Sequence, residues 1–161
     1  MHELIEATVD DKPVVRRLLQ LYLHDFSESS GQDLNEHGEY GYRYLDHYWT
    51  DPGRHAFLVW VDGRLAGLAL VRQAGEAMEM AEFFIVRKYR RQGVGTTTVH
   101  RLFDRFPGRW RIHHDQANVA AQAFWRRAVQ GYADDRFTET SEGGSVVQQF
   151  GGRGASGTDL V

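Results

Sequence analysis

The spacing of apolar positions changes several times along the chain, and each change marks an element. Val15, Leu18, Leu19 and Tyr22 recur at helical spacing behind Pro13, with Thr8 to Asp11 as capping residues, so a first helix is expected there. Residues 27–41 are polar and contain glycine, which predicts a loop. The aromatic-dense stretch 40–49 predicts a second helix, ended by Asp51-Pro52-Gly53. Residues 56–61 and 65–71 read as strands joined at Asp62-Gly63, a hairpin signal, and 78–86 as a third. From 96 to 106 the helical period returns, with Val99, Leu102, Phe103 and Phe106 on one side, until Pro107-Gly108 stops it. A strand at 110–114 follows. Then comes a helix at 118–129, carrying Ala121, Phe124, Trp125 and Ala128 on one side. Strands at 136–141 and 145–150 close the chain across Gly143-Gly144. This order gives a mixed α/β class with no internal repeat.

The junction at 81–96 carries the chemistry. An apolar strand rich in aromatic and β-branched residues runs into Arg87-Lys88-Tyr89-Arg90-Arg91-Gln92-Gly93-Val94-Gly95-Thr96, and a helix begins. Glycines let a backbone approach an anion, and a helix N-terminus presents free N–H groups and a positive dipole end to it. A phosphorylated ligand is therefore expected. Gly93-Val94-Gly95 is followed by Thr96, Thr97 and Thr98, so the third glycine of a dinucleotide fingerprint is missing, and no P-loop run occurs.

What remains, Arg90-x-x-Gly93-x-Gly95 directly after a strand, resembles the acyl-CoA signature of the GCN5-related N-acetyltransferases (GNAT). Downstream, Asn118-x-x-Ala121-x-x-Phe124-Trp125 followed by Gly131-Tyr132 resembles that family's Asn-x-x-Ala-x-x-Phe/Leu-Tyr and Gly-Phe at similar offsets. The resemblance covers roughly residues 55–150. Around Glu82-Phe83-Phe84-Ile85 the sequence looks closest to diamine-acetyltransferase-like members. It implies the GNAT fold, a central, mostly antiparallel sheet of about six to seven strands flanked by about four helices. It also implies acetyl-CoA as cofactor and direct transfer of the acetyl group to a primary amine, with a small-molecule acceptor favoured. An acyl-CoA-binding regulatory domain without turnover, and a protein or peptide acetyltransferase, stand as alternatives.

Residue by residue, the resemblance implies that the backbone of Gln92, Gly93, Val94, Gly95 and Thr96 cradles the pyrophosphate. Arg90 and Arg91 would add charge-assisted contacts. Phe84, Ile85 and Val86 would pair with the pantetheine arm, and Asn118, Phe124 and Trp125 would line the far wall. Trp125 stands where the family has a Tyr near the thioester sulfur. An indole N–H can donate a hydrogen bond but has no useful acidity, so the general acid is unassigned.

For the general base the residues themselves suggest Glu82, a carboxylate within an apolar strand. His113 and His114 are weaker candidates at the end of the next strand. Acceptor recognition is expected from the first two helices, where Tyr22, His24, Asp25, Tyr40, Tyr44, His47 and Trp49 supply aromatic and acidic groups that could box an ammonium.

Bulk properties narrow the picture. The 161 residues fit one domain, expected over 1–150, with 151–161 as a flexible tail holding four glycines in eleven residues. There is no cysteine, which excludes disulfides, thiolate zinc sites and a cysteine nucleophile and suits a reducing compartment; a cytoplasmic location is expected. The eight histidines show no metal-ligand spacing. A formal charge of -3 argues against a nucleic-acid partner, and no apolar run is long enough to span a membrane. The charge is unevenly placed: seven acidic residues face only Arg43 between His24 and Asp51, and eight basic residues face only Asp104 between Arg87 and Arg111. Such bipolarity suits a polyanionic cofactor on one side and a cationic amine on the other. The closing hairpin or an exposed strand edge supports a homodimer.

Overall fold

The computed structural model describes residues 1–153; from residue 154 onward the expected glycine-rich tail lies outside the described residues. Seven strands form one sheet in the order β1-β2-β3-β4-β5-β7-β6. Pairing is antiparallel at β1–β2, β5–β7 and β6–β7 and parallel at β4–β5. The chain gathers into two compact units, Met1–Val71 with Ala81–Arg91, and Arg72–Met80 with the residues from Gln92 onward. Strands β3 (Arg64–Ala74) and β4 (Ala77–Ile85) contribute to both.

The first unit opens with a strand that the apolar pattern does not announce, β1 (His2–Glu6). Its five residues pair with β2 (Arg54–Val61), Leu4 against Val59 and Glu6 against Phe57. So short and polar a segment becomes a strand because an apolar neighbour offers it a ladder. Helix α1 (Lys12–Ser30) has Pro13 in its first turn and buries Val15, Leu18, Leu19 and Leu23. It runs past the expected loop boundary at Ser27. Ser27 Oγ donates to the His24 carbonyl at 2.7 Å, and the helix closes at Gly31, where φ is 68°.

The expected second helix shrinks to one turn, α2 (His47–Thr50). Its aromatics are anchored one by one instead. The Tyr40 N–H donates to Gln20 Oε1 at 2.8 Å, and Trp49 Nε1 donates to the Ala7 carbonyl at 3.1 Å. Aromatic density there marks burial of Tyr48 and partial burial of Tyr40, Tyr42 and Trp49, met without a long helix. Gly67 on β3 is required by close approach: a Cβ there would stand 2.2 Å from the Phe84 carbonyl oxygen, and Val86 N donates to the Ala66 carbonyl at 2.8 Å alongside.

In the second unit, helix α3 (Val94–Arg105) buries Val94, Thr98, Val99, Leu102 and Phe103. Phe103 meets Phe150 at 4.8 Å, Trp110 at 4.9 Å and Tyr132 at 5.0 Å, all edge-on, so one ring ties α3 to β5 (Arg109–Asp115), α4 (Val119–Ala133) and β7 (Ser145–Gly151). Strand β6 (Phe137–Glu142) meets β7 across Gly143 and Gly144, both with positive φ, as the hairpin signal predicts.

Candidate active site

Glu82 lies on β4 and is half-buried. Two phenols reach it. Tyr22, from α1, and Tyr42, from the stretch before α2, both lie close enough to feel the charge of its carboxylate. Burial first, and then the negative charge of Glu82, hold both phenols far above the ordinary tyrosine value, so they stay protonated. Tyr48, buried beside them, is likewise raised by burial, partly offset by Tyr42 and by Arg54. Phe84 completes the group, its ring 6.3 Å from Tyr22, edge-on. The result is one carboxylate set in an aromatic surround beside two phenols.

Tyr42 escaped the sequence reading, which singled out its neighbours. The other aromatics expected to box an acceptor turn elsewhere. Tyr40 OH lies 3.1 Å from His24 Nδ1 and donates to Ser27 Oγ at 3.4 Å. Tyr44 packs on His47 at 5.8 Å, with the Arg54 guanidinium 5.1 Å from its ring. Trp49 is committed to Ala7.

The acidic half of the sequence is largely paired within its own unit. Asp25 accepts from Arg87 and Arg90, Glu39 from Arg16, Asp46 pairs with Lys12, and Asp51 with Arg54. Asp25 is thus drawn to the basic segment rather than presented to an acceptor. Arg90 in turn donates from Nε to the Ile85 carbonyl at 2.7 Å and lays its guanidinium 5.4 Å over the Phe84 ring. Two backbone groups of the expected pantetheine edge, the Ile85 carbonyl and the Val86 N–H, therefore have partners inside the first unit.

The Gly turn has the geometry an anion needs. Gln92 and Gly93 are exposed, and Gly93 is the N-cap of α3 with φ 78°, in the left-handed region. Gly93 has no side chain to cap that helix end, and the Thr97 N–H bonds back to Gly93 at 3.0 Å. The N–H groups of Val94, Gly95 and Thr96 thus belong to the first turn, which has no intrahelical acceptor for them. Arg91 also has a positive φ, 60°, a strained setting for a side-chain-bearing residue. An uncapped glycine-led helix start flanked by arginines fits a pyrophosphate.

Farther along the second unit, Asn118 caps α4, its Oδ1 accepting from the Ala121 N–H at 3.1 Å. Trp125 is buried with its ring 4.9 Å from that of Phe124, edge-on, so the indole serves as packing. Tyr132 is also core: its hydroxyl donates to Asp104 Oδ1 at 2.8 Å. His114 is buried, and neither ring nitrogen has a partner of hydrogen-bond geometry among the described residues. Burial pushes it below the ordinary histidine value; Glu139 and Gln148 offset this in part, while Arg126 adds to it. The neutral ring could accept a proton only at low pH. His113 on the opposite face of β5 is exposed, 3.4 Å from Glu79. No group of acidic and histidine side chains able to hold a metal occurs among the described residues. Nor is any described helix long and apolar enough to cross a membrane.

Comparison with known proteins bears on the family and the fold. Residues 15–132 match the family model described as Acetyltransferase (GNAT) family. No curated protein matches by sequence. Among solved structures, the ribosomal-protein-S18-alanine N-acetyltransferase of Escherichia coli superposes with a TM-score of 0.64 at 13% identity, over 98% of this chain and 97% of that one. The PaiA N-acetyltransferase of Thermoplasma acidophilum, in complex with coenzyme A, gives 0.64 at 10% identity, over 94% and 99%. An acetyltransferase of Thermus thermophilus gives 0.68 at 20% identity, over 93% and 95%. At these identities the structures speak to the fold.

Proposed function

This chain belongs to the GNAT acetyltransferase family, and from that premise we propose that it moves an acetyl group from acetyl-CoA to a primary amine of a small molecule, with Glu82 as the general base. The observation that carries the reading is the half-buried Glu82 carboxylate on β4, close to the phenols of Tyr22 and Tyr42.

A free alkyl amine has a pKa of about 10 and is mostly protonated at neutral pH. Glu82 takes that proton, leaving a neutral amine and a carboxylic acid. The amine nitrogen then bonds to the thioester carbonyl carbon, and the carbon–sulfur bond breaks. Acetyl-CoA, when bound, supplies the activated acetyl group; the chain supplies the rest. Tyr22 and Tyr42 lie beside the carboxylate, and the surrounding rings limit its access to water. The first turn of α3 and Arg91 bind phosphate oxygens, while Arg90 sits between Ile85, Asp25 and Phe84 and shapes the segment that leads into the turn. No side chain is assigned as general acid. Trp125 lacks the acidity, so the thiolate leaves unaided or takes its proton from water, and the second proton of the attacking nitrogen passes to solvent or to the thiolate.

A small amine is favoured because an anionic carboxylate beside aromatic rings suits an ammonium group, and Glu82-Phe83-Phe84-Ile85 supports the diamine-acetyltransferase branch. Ala81, where that branch carries a second acidic residue, leaves the work to Glu82 alone. The test follows thiol release from acetyl-CoA against polyamines, amino acids, aminoglycosides and short peptides, with coenzyme A affinity measured separately by calorimetry. Release with one amine class, reduced about a hundredfold or more by Glu82→Gln with coenzyme A affinity intact, is the expected result. Release unaffected by that change removes Glu82 as the base. Release with peptides alone moves the acceptor to the protein class.

A further inference from the structure

Glu79 on β4 is a buried carboxylate, its side chain 8% exposed, and it meets more positive charge than its burial requires. Arg72 Nε and Nη2 both donate to Oε2, at 3.0 and 2.8 Å. Arg111 Nη1 donates to Oε1 at 3.2 Å, and His113 Nε2 stands 3.4 Å from the same oxygen. All four residues belong to the second unit.

Strand register explains the convergence. Arg111 lies opposite Glu79 on one side and Gln149 on the other, and His113 follows two residues later on the same face. The other face of β5, with Trp110, Ile112 and His114, is the buried one. The charged face keeps its access to solvent: side-chain exposure is 40% for Arg72, 34% for Arg111 and 45% for His113.

One partner suffices to compensate a buried carboxylate. Here a single negative charge is bracketed by two guanidiniums. A guanidinium carries five N–H donors in a rigid fork. Arg72 commits two of them to Glu79 and Arg111 commits one, so donors remain on both after Glu79 is satisfied. A fork already fixed by an internal carboxylate loses little further freedom when it takes a second anion, and paired guanidiniums match the geometry of carboxylate and phosphate alike.

We infer that this face of β3, β4 and β5 binds an oxyanion, the carboxylate or phosphate group of a small ligand, with Arg72 and Arg111 as donors and Glu79 as the residue that fixes them. The inference is independent of the acetyl-transfer reading, and the Gly93–Gly95 turn, which also attracts phosphate, is distinct in sequence.

Residue-resolved NMR separates the two. Inorganic phosphate and, separately, acetate are titrated into the full chain at constant ionic strength. The expected result is a saturable shift of the Arg72, Arg111 and His113 signals, with the apparent affinity reduced about fivefold or more in Arg111→Gln. Arg111→Gln leaves both Arg72 contacts to Glu79 in place, and the same spectra report its fold; should it not fold, Arg111→Lys, which keeps charge but loses the fork, carries the test. Response to acetate alone or to phosphate alone identifies the source of the oxyanion. Shifts confined to residues 92–96, a response that never saturates, or an unchanged affinity in both variants would overturn the inference.

Discussion

Asp25 Oδ2 accepts a hydrogen bond from Arg90 Nη2 at 2.6 Å while Oδ1 accepts one from Arg87 at the same distance, so one carboxylate on α1 grips both ends of the turn at Arg87–Tyr89. The bond joins two segments 65 residues apart and sets where the basic stretch before Gly93 begins.

The pair makes stability depend on pH with a defined sign. Burial alone would raise the Asp25 carboxyl, but the hydrogen bonds from Arg90 and Arg87 outweigh it and leave the group below its ordinary value of 3.8. The folded chain therefore binds that proton less tightly than the unfolded chain does. The contribution is complete above about pH 4 and is lost as pH falls through the lowered folded value. Unfolding free energies of the wild type and Asp25→Asn should differ at pH 6 and converge as the pH falls below the ordinary Asp value of 3.8; a difference that stays constant through that fall would contradict the pairing.

Tyr42→Phe removes one of two phenol hydroxyls beside Glu82. Stability should fall by about 1 kcal/mol and kcat/KM by roughly tenfold, less than for Glu82→Gln because Tyr22 still lies beside the carboxylate. Tyr22→Phe and Tyr42→Phe together should cost more than the sum of the singles, since the pair flanks one carboxylate. Thermal melts and steady-state rates on the four proteins check both statements, and strict additivity would mean the phenols act separately.

Gly67→Ala places a methyl group 2.2 Å from the Phe84 carbonyl, a backbone atom that cannot swing aside. The expected loss is about 3 kcal/mol or more, read by chemical denaturation. A variant as stable as the wild type would show that β3 and β4 do not approach so closely beside Gly67.

Arg91→Gly and Gly93→Ala should act in opposite directions on stability. Arg91 has φ 60°, so glycine there relieves up to about 1 kcal/mol of backbone strain, while loss of the guanidinium weakens coenzyme A binding. Gly93 has φ 78° with nothing within 4 Å of an added Cβ, so alanine costs about 1 kcal/mol through strain alone. Melting temperatures paired with calorimetric coenzyme A titrations read both effects. A stabilised Arg91→Gly that binds coenzyme A as tightly as the wild type would remove Arg91 from the phosphate contacts.

The strands after residue 54, the helices α3 and α4, the closing hairpin and the glycine turn were all legible in one dimension. In each of these a local rule agrees with the final structure: an apolar period, or a glycine with positive φ. The same agreement made Glu82 readable as a carboxylate out of place in an apolar strand. Strand β1 needed its neighbour, because its five residues gain strand character from Leu58 and Val59 across the ladder. Packing in space also selected Tyr42, rather than Tyr40 or Tyr44, to reach Glu82, because the stretch before α2 is irregular and has no period from which to predict a direction. Charge pairing was equally invisible along the chain. Asp25 meets Arg90, and Glu79 meets Arg72 and Arg111, across distances in sequence that folding alone closes. Local chemistry follows from neighbours along the chain; a site follows from neighbours in space, and those are set by which strands lie side by side.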